Sequence, residues 1–391
     1  MARSIVDKSL VFLVSIVMMI VIAVIVMLAA LRTDPMDDAV KKERIINVAI
    51  ILERNGKPAA TEILMYYPGN ARAALLDVPA ETGLIIKSLN RVDSIDVLYE
   101  RGSPKAYLEE IQRLTEATID WYLILDEPSL SSLVDLLDGL SLFLPNRVST
   151  VVAEAPVVLP SGFTVLDGRK TLLYAGYRDP DVPDTELVSK RQSLYQALLR
   201  RLGERSAFIM RDDVYPAIQK LFATNLKPES LKRLLHEFGR LESDRIVLQR
   251  LTGAYRAVEG KQLLFPHYDG ELVKDIVKQS LNALLNADFS AMADKVFTIE
   301  ILNGTPVRGL AQKTAEIFQS FGYEVVSVGN AASIEIEKTI VVDRYGDRGA
   351  ATTVANVIRC RMVEDEAIPS ASPADFVIIL GKDFNGRNCV D

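Results

Sequence analysis

Apolar and polar positions divide this chain into one long apolar block followed by many short alternating ones. The block "SLVFLVSIVMMIVIAVIVMLAAL", residues 9–31, carries no charge over 23 residues. As a helix rising about 1.5 Å per residue it would span about 34 Å, enough for a hydrocarbon core of about 30 Å. It is long for the apolar region of a cleaved signal and no small-x-small cleavage site follows, so the pattern predicts a retained transmembrane anchor. The next stretch, "RTDPMDDAVKKER" at 32–44, is polar and reads as a stalk. Two short β-rich runs follow, "INVAIILE" and "EILMYYP", joined across "RNGKPAAT". "ARAALLDVPAETGLII" reads as strand, Pro-marked turn and strand. In "KAYLEEIQRLTEAT", Leu108, Ile111 and Leu114 keep helical spacing among charged neighbours. "IDWYLILD" is a strand, and "EPSLSSLVDLLDGL" is a helix with Pro128 in its first turn and Gly139 beyond its end.

Residues 172–202, "LLYAGYRDPDVPDTELVSKRQSLYQALLRRL", read as a strand end, a charged loop and a helix starting near Ser189. "KPESLKRLLHEFGRL" and "GELVKDIVKQSLNALLNA" add two amphipathic helices. After "NADFSAMADK", residues 286–295, strand and helix patterns alternate again through "VFTIEILNGT", "GLAQKTAEIFQSFG", "YEVVSVGNA", "KTIVVDRYGD", "GAATTVANVIR" and "DFVIILGKDF". "RMVEDEAIPSASPAD", residues 361–375, reads as a solvated loop of that unit. The predicted class is α/β. A short cytoplasmic tail and transmembrane helix occupy 1–32 and a stalk 33–44. A mixed sheet covered by helices takes 45–285, a linker 286–295 and a small C-terminal α/β domain 296–391. A length of 391 residues suits such a division.

Charge and rare residues narrow the function. A net charge of -7 lacks the positive field that attracts phosphate backbones, which argues against a nucleic-acid partner. Two histidines and two cysteines cannot supply the usual zinc sites. His267, in "FPHYDG", reads as a loop or core histidine. Cys360 and Cys389 are in a position to pair only if the domain lies in an oxidising compartment and their geometry allows it. Arg3 and Lys8 before the apolar block, against Arg32, Lys41 and Lys42 after it, leave the positive-inside rule undecided. A short N-terminal flank before a large domain is the form of a signal anchor, so the expected location is the cytoplasmic membrane, single-pass, with the bulk of the chain extracytoplasmic.

One arginine stands out. If the helix begins near Ser189, then Leu194, Tyr195, Leu198 and Leu202 form one apolar stripe, and Arg191 lies one turn before its first members, pointing inward. An inward guanidinium needs a carboxylate or a bound phosphate. The loop acids Asp179, Asp181 and Asp184 offer the first, and both readings stay open.

The order of motifs resembles the LytR-CpsA-Psr family of envelope proteins over about 45–285. "DVPAET" stands where that family has Ser-Ile-Pro-Arg-Asp-Thr. "WYLILDEPSLSSLVDLLDGL" is similar to its strand and helix ending in Asp-x-x-Gly-Gly, with Asp138 in place of the first glycine. "LDGRKTLLYAGYRDPDVPDTELVSKRQ" is similar to its Leu-Asp-Gly segment, arginine cluster and Arg-Gln. "IEILNGTPVRGLAQKTAEIFQSFGYEVVSVGNA", with an Asn303-Gly304 turn, Gly309 at the helix start and Gly322 closing it, is similar to the family's small LytR C-terminal domain.

The resemblance implies a membrane-anchored protein that binds polyprenyl-phosphate lipids and transfers lipid-linked glycans to the cell envelope. It implies arginines for the phosphates, a Mg2+ ion and an apolar tunnel for the prenyl chain. Carried onto this chain, Arg178 and Arg191 are the catalytic arginines, Arg178, Arg191 and Gln192 the phosphate-binding set, with helix packing the other role open to Gln192, and Glu81 and Asp184 are the candidate metal ligands. Three family arginines are absent, replaced by Ala80, Gly176 and Val188. The family's early metal-binding aspartate has only Thr61 or Glu62 as polar substitutes. Lys87, Arg91, Arg101 and Arg169 read as solvated. Leu133, Leu136, Leu137 and Leu140 would look the same in a tunnel or a core. Two functions follow: a glycan-binding phosphotransferase, or a catalytically degenerate envelope scaffold whose C-terminal domain contacts protein partners or glycans.

Overall fold

The computed structural model describes residues 8–30, 34–152, 155–178, 184–243, 246–285, 297–365 and 374–390. Helix α1, Lys8–Ala30, runs the length of the apolar block. Its side chains are described over residues 12–24, where every one is exposed, Phe12 at 68% and Met19 at 67% among them. That described portion is 13 residues, and among the described residues no helix is long and apolar enough to cross a membrane.

The expected stalk is in part folded. Helix α2, Pro35–Lys41, is capped by Asp34, whose carboxylate accepts from the backbone N–H of Met36 at 2.9 Å and of Asp37 at 3.3 Å. The hydroxyl of Ser230 donates to the same carboxylate. Met36, Ala39 and Val40 are thereby buried against helix α7, Pro228–Phe238. The apolar spacing within "PMDDAV" is short, and only the partner helix makes it a packing face.

Six strands form the main sheet: β1 Ile46–Arg54, β2 Lys57–Tyr67, β3 Arg72–Asp77, β4 Trp121–Asp126, β5 Ala223–Thr224 and β6 Val247–Arg250, in the order β5-β4-β1-β2-β3-β6. The sheet is mixed: β1 runs parallel to β4 and β3 to β6, while the other pairs are antiparallel. Asn55 and Gly56, both at positive φ, close the first hairpin, so the turn is shorter than expected and the second strand starts at Lys57. Alternate side chains face opposite layers. Val48, Ile50 and Leu52 join a core with α4 (Glu127–Leu136), α6 (Asp184–Glu204) and α7. Ala49 and Ile51 face α3 (Lys105–Thr115) and α8 (Glu271–Leu285).

Two further expectations change. Residues 172–176 end a helix, α5 Gly168–Gly176, and not a strand. Asp167 caps it by accepting from Lys170 N, and Gly168 packs so tightly that a Cβ there would lie 2.1 Å from the Ser131 carbonyl oxygen. Helix α6 starts at Asp184, five residues ahead of the sequence reading. Asp138 adopts φ +59, a left-handed conformation, which explains why a glycine or a turn-tolerant acid suits this position.

In the C-terminal domain β7 Thr298–Asn303, β8 Glu324–Asn330, β9 Ile340–Asp343, β10 Val363–Asp365 and β11 Phe376–Leu380 order as β8-β7-β11-β9-β10, with α9 Leu310–Ser320 and α10 Arg348–Val357 packed on them. The expected loop from Arg361 therefore begins with an edge strand; residues 366–373 lie outside the described ones, as does the expected linker at 286–295. Cys360 and Cys389 are free thiols, and Cys360 donates to the Thr339 carbonyl at 3.1 Å.

Helix α8 belongs to both cores. Val273 and Val277 pack on the main sheet, while Leu272 and Ile276 join the C-terminal core. The seam is closed by Arg387 on Asp275 at 2.5 Å and by the Tyr268 hydroxyl donating to the Gly386 carbonyl.

Candidate functional site

The register across the sheet brings charged residues into one row. Glu62 on β2 lies opposite Asp77 on β3, and Arg250 on β6 lies opposite Asp77 from the other side. Both carboxyls are fully buried. Above them α6 presents Arg191, which grips Asp77 with Nε to Oδ1 and Nη2 to Oδ2, each at 2.8 Å. This is a bidentate, charge-assisted pair. Burial alone would lower the Arg191 pKa, but the charge of Asp77 and its hydrogen bonds, with Glu62 and Glu81 further off, hold it above its ordinary value. Arg191 points inward as its place on the stripe predicts, and a carboxylate of β3 meets it; Asp179 and Asp181 lie outside the described residues, as does the side chain of Asp184.

Glu62 has no such partner. No guanidinium or hydroxyl reaches either side-chain oxygen, and burial, followed by the charge of the Asp77 carboxylate and hydrogen bonding with it, pushes the Glu62 pKa well above 4.5 and favours its protonated form. Thr61, the other substitute considered, is satisfied by the Tyr107 hydroxyl at 2.8 Å.

A cavity of about 400 Å³ opens beside this row. Glu81, Arg178, Lys190, Arg191 and Arg250 line it, and so do His267 and two residues of the C-terminal domain, Glu316 and Gln319. Arg178 stands exposed on its wall. Glu81 is half-buried and accepts from the Tyr255 hydroxyl at 3.4 Å. Lys190 donates to the Tyr177 carbonyl and sits 4.5 Å over the Tyr174 ring; burial lowers its pKa to about 8. Burial also lowers Arg250, whose Nε has no hydrogen-bond partner.

Gln192 takes no part in this cavity. It is buried, and its amide donates to the Gln249 carbonyl at 2.6 Å, so it pins α6 to β6. Asp184 opens α6, but its side chain is not among those described. The three missing arginines have partial spatial counterparts. A Cβ on Gly176 would lie 3.2 Å from Nη2 of Arg54, which is itself held by Glu127. Lys190 and Arg250 lie in the cavity wall itself. Asp77 could have been found as the first residue of "DVPAET"; nothing in "VLQR" marked Arg250.

The apolar layer past Arg191 is nearly solid. Ile50, Leu52, Leu125, Leu130, Leu194, Tyr195 and Leu198 surround a void of about 20 Å³. That is room for about one water molecule.

Several known proteins are similar to this chain. The sequence model of the LytR_cpsA_psr family matches residues 53–280, more than half of the chain, and that of the LytR cell envelope-related transcriptional attenuator matches residues 297–384. A curated relative is the polyisoprenyl-teichoic acid–peptidoglycan teichoic acid transferase TagU of Bacillus licheniformis, 19% identical over 237 residues, covering 59% of this chain and 75% of the relative. TagV of Bacillus subtilis superposes with a TM-score of 0.54 at 16% identity, covering 61% of this chain and 98% of that one. A protein of Streptococcus agalactiae does so with a TM-score of 0.54 at 13% identity, covering 64% and 92%. At these identities the structural likenesses establish the fold.

Proposed function

The chain belongs to the LytR_cpsA_psr family, and we propose that it is a membrane-anchored envelope protein whose cationic cavity binds the phosphate end of a polyprenyl-phosphate-linked glycan. The observation that carries this reading is the cavity itself, in which Arg178, Lys190, Arg191 and Arg250 converge where the family motifs meet. The activity of TagU, transfer of a polyisoprenyl-linked teichoic acid to peptidoglycan, suggests the substrate class. The anchor rests on the 23-residue helix α1 and on the exposure of its described apolar side chains, which lipid would cover.

Among the described residues no group of three or more His, Cys, Asp or Glu is arranged to hold a metal ion. Mg2+, however, commonly takes one or two carboxylates and completes its shell with water and substrate phosphates. Glu81, half-buried in the cavity wall, fits that smaller donor set, with Asp184 at the start of α6 as the second carboxylate. Bound there, Mg2+ would offset charge developing on the phosphates. This chain's own contribution is to orient them: Asp77 fixes Arg191 in one rotamer, and Lys190 and Arg250 supply charge in a partly water-excluded recess.

The solid apolar layer favours a second reading, a scaffold that retains the fold without accommodating a prenyl chain. Native mass spectrometry of the full chain extracted in detergent separates the two. Co-purified prenyl phosphate, lost in Arg178→Ala, supports the first reading; a lipid-free protein supports the second. Arg178 is the better variant, since Arg191→Ala would strand a buried carboxylate. A reporter fused after Asp391 tests the topology, and activity only on the extracytoplasmic side is the expected result.

A further inference from the structure

The cavity is not a property of the main domain alone. One wall is α9 of the C-terminal domain, which contributes Glu316 and Gln319. Gln319 offers its side-chain oxygen to Nη2 of Arg250 at 3.4 Å, at the long limit of a hydrogen bond. The Arg250 Nε is buried with no partner at all. A guanidinium left this incompletely satisfied beside an open cavity lacks an acceptor, and buried donors rarely stay so. Glu316, the acid on the same wall, is engaged by Nε2 of His267 at 3.0 Å. Gln319 carries both a donor and an acceptor, so it can hold Arg250 through its oxygen and still present N–H groups to an anion.

Resting on the reading that this cavity takes an anion, we propose that the phosphate site is composite. Arg250 of the main domain and Gln319 of the C-terminal domain both contact a pyrophosphate group, so that ligand binding and docking of the two domains stabilise each other. Arg191 is not the reading residue in this arrangement, because Asp77 already occupies two of its donors. Linkage requires that an anion bridging the seam tighten the seam.

The test uses the full chain in detergent and inorganic pyrophosphate as probe, with affinity measured calorimetrically and hydrogen exchange followed over residues 310–320. Arg250→Ala is expected to weaken binding by about tenfold or more, as loss of a charge-assisted bond does. Gln319→Glu, a change on a partly exposed helix face that should fold normally, is expected to weaken binding by a similar factor by pairing with Arg250 and repelling the anion. Pyrophosphate should slow exchange over 310–320 in the unmodified protein and not in Arg250→Ala. If pyrophosphate binds and Arg178→Ala weakens it, while Arg250→Ala and Gln319→Glu leave affinity unchanged, the composite site is overturned and the simpler anion site stands. If binding occurs without slower exchange at 310–320, the seam is not bridged and the proposal is likewise overturned. If the unmodified protein binds no pyrophosphate, both the inference and the anion reading fall.

Discussion

The layer between α6 and the main sheet is open at one end and shut at the other. Around Lys190 and Arg191 it borders a cavity of about 400 Å³, whereas around Leu194, Tyr195 and Leu198, one or two turns along the same helix, about 20 Å³ remains. The difference follows from what each end must satisfy. Apolar side chains lose contact energy in any gap and interdigitate until little is left. Guanidinium and ammonium groups need acceptors or water, so the polar end resists collapse. Among the described residues the polar end of this layer has room for a headgroup, while the apolar end around Leu194, Tyr195 and Leu198 has almost none for a prenyl chain.

The contrast can be broken most strongly at its polar end. Asp77→Ala leaves Arg191 buried and unpaired and should lose about 3–5 kcal/mol of stability by chemical denaturation, while the double change with Arg191→Met should recover much of it. An unaltered midpoint for Asp77→Ala would mean that the pair is solvated and the site much wetter than described. At the apolar end, Leu198→Ala should destabilise by about 2–5 kcal/mol through the cavity it leaves. If that variant also gains affinity for a prenyl phosphate over pyrophosphate, closure of the recess is what excludes the chain; equal affinities would uncouple packing from lipid choice.

Glu62→Gln tests the buried carboxyl. Because its pKa is raised in the native state, the fold keeps a proton that the unfolded chain gives up above about 4.5, so native stability declines as pH rises through that value. The glutamine variant lacks this dependence, so its advantage over the parent should grow as the pH is raised from about 4.5 toward neutrality. A constant difference across pH would argue that Glu62 is ionised throughout. The smallest effect is at Lys190. Its depressed pKa means that the ammonium is present below about 8 and lost above, so pyrophosphate affinity should fall a few-fold between pH 7 and 9. Lys190→Gln should bind more weakly at pH 7 and show no such fall.

Much of the fold is legible in the chain because hydrophobic period and turn chemistry are local. The strands at 46–54 and 121–126, the helices at 105–115, 228–238 and 271–285, and nearly the whole alternation of the C-terminal domain follow from it. The exceptions are places where a distant group changed the outcome. Residues 35–41 became helix through Asp34, Ser230 and the face of α7. The segment 172–176 became helix because Asp167 caps it and Gly168 lets it approach Ser131. Of the residues the motifs single out, Arg178, Arg191 and Glu81 line the cavity and Gln192 serves helix packing, its amide holding β6; the motifs give no sign of Lys190 or Arg250.

The sequence by itself determined which residues face inward: the stripe on α6 points Arg191 at the sheet whatever lies there, because a helix repeats every 3.6 residues. It also determined the apolar length of α1 and the alternation of strand and helix over most of the C-terminal domain. Only the tertiary structure decided that Arg191 meets Asp77, that Glu62 stays unpaired, that Arg250 enters the same cavity and that α9 closes its wall. Those outcomes depend on strand register and on the seam between domains, which bring together groups as far as 173 positions apart, Asp77 and Arg250, whose attraction acts only over a few ångströms.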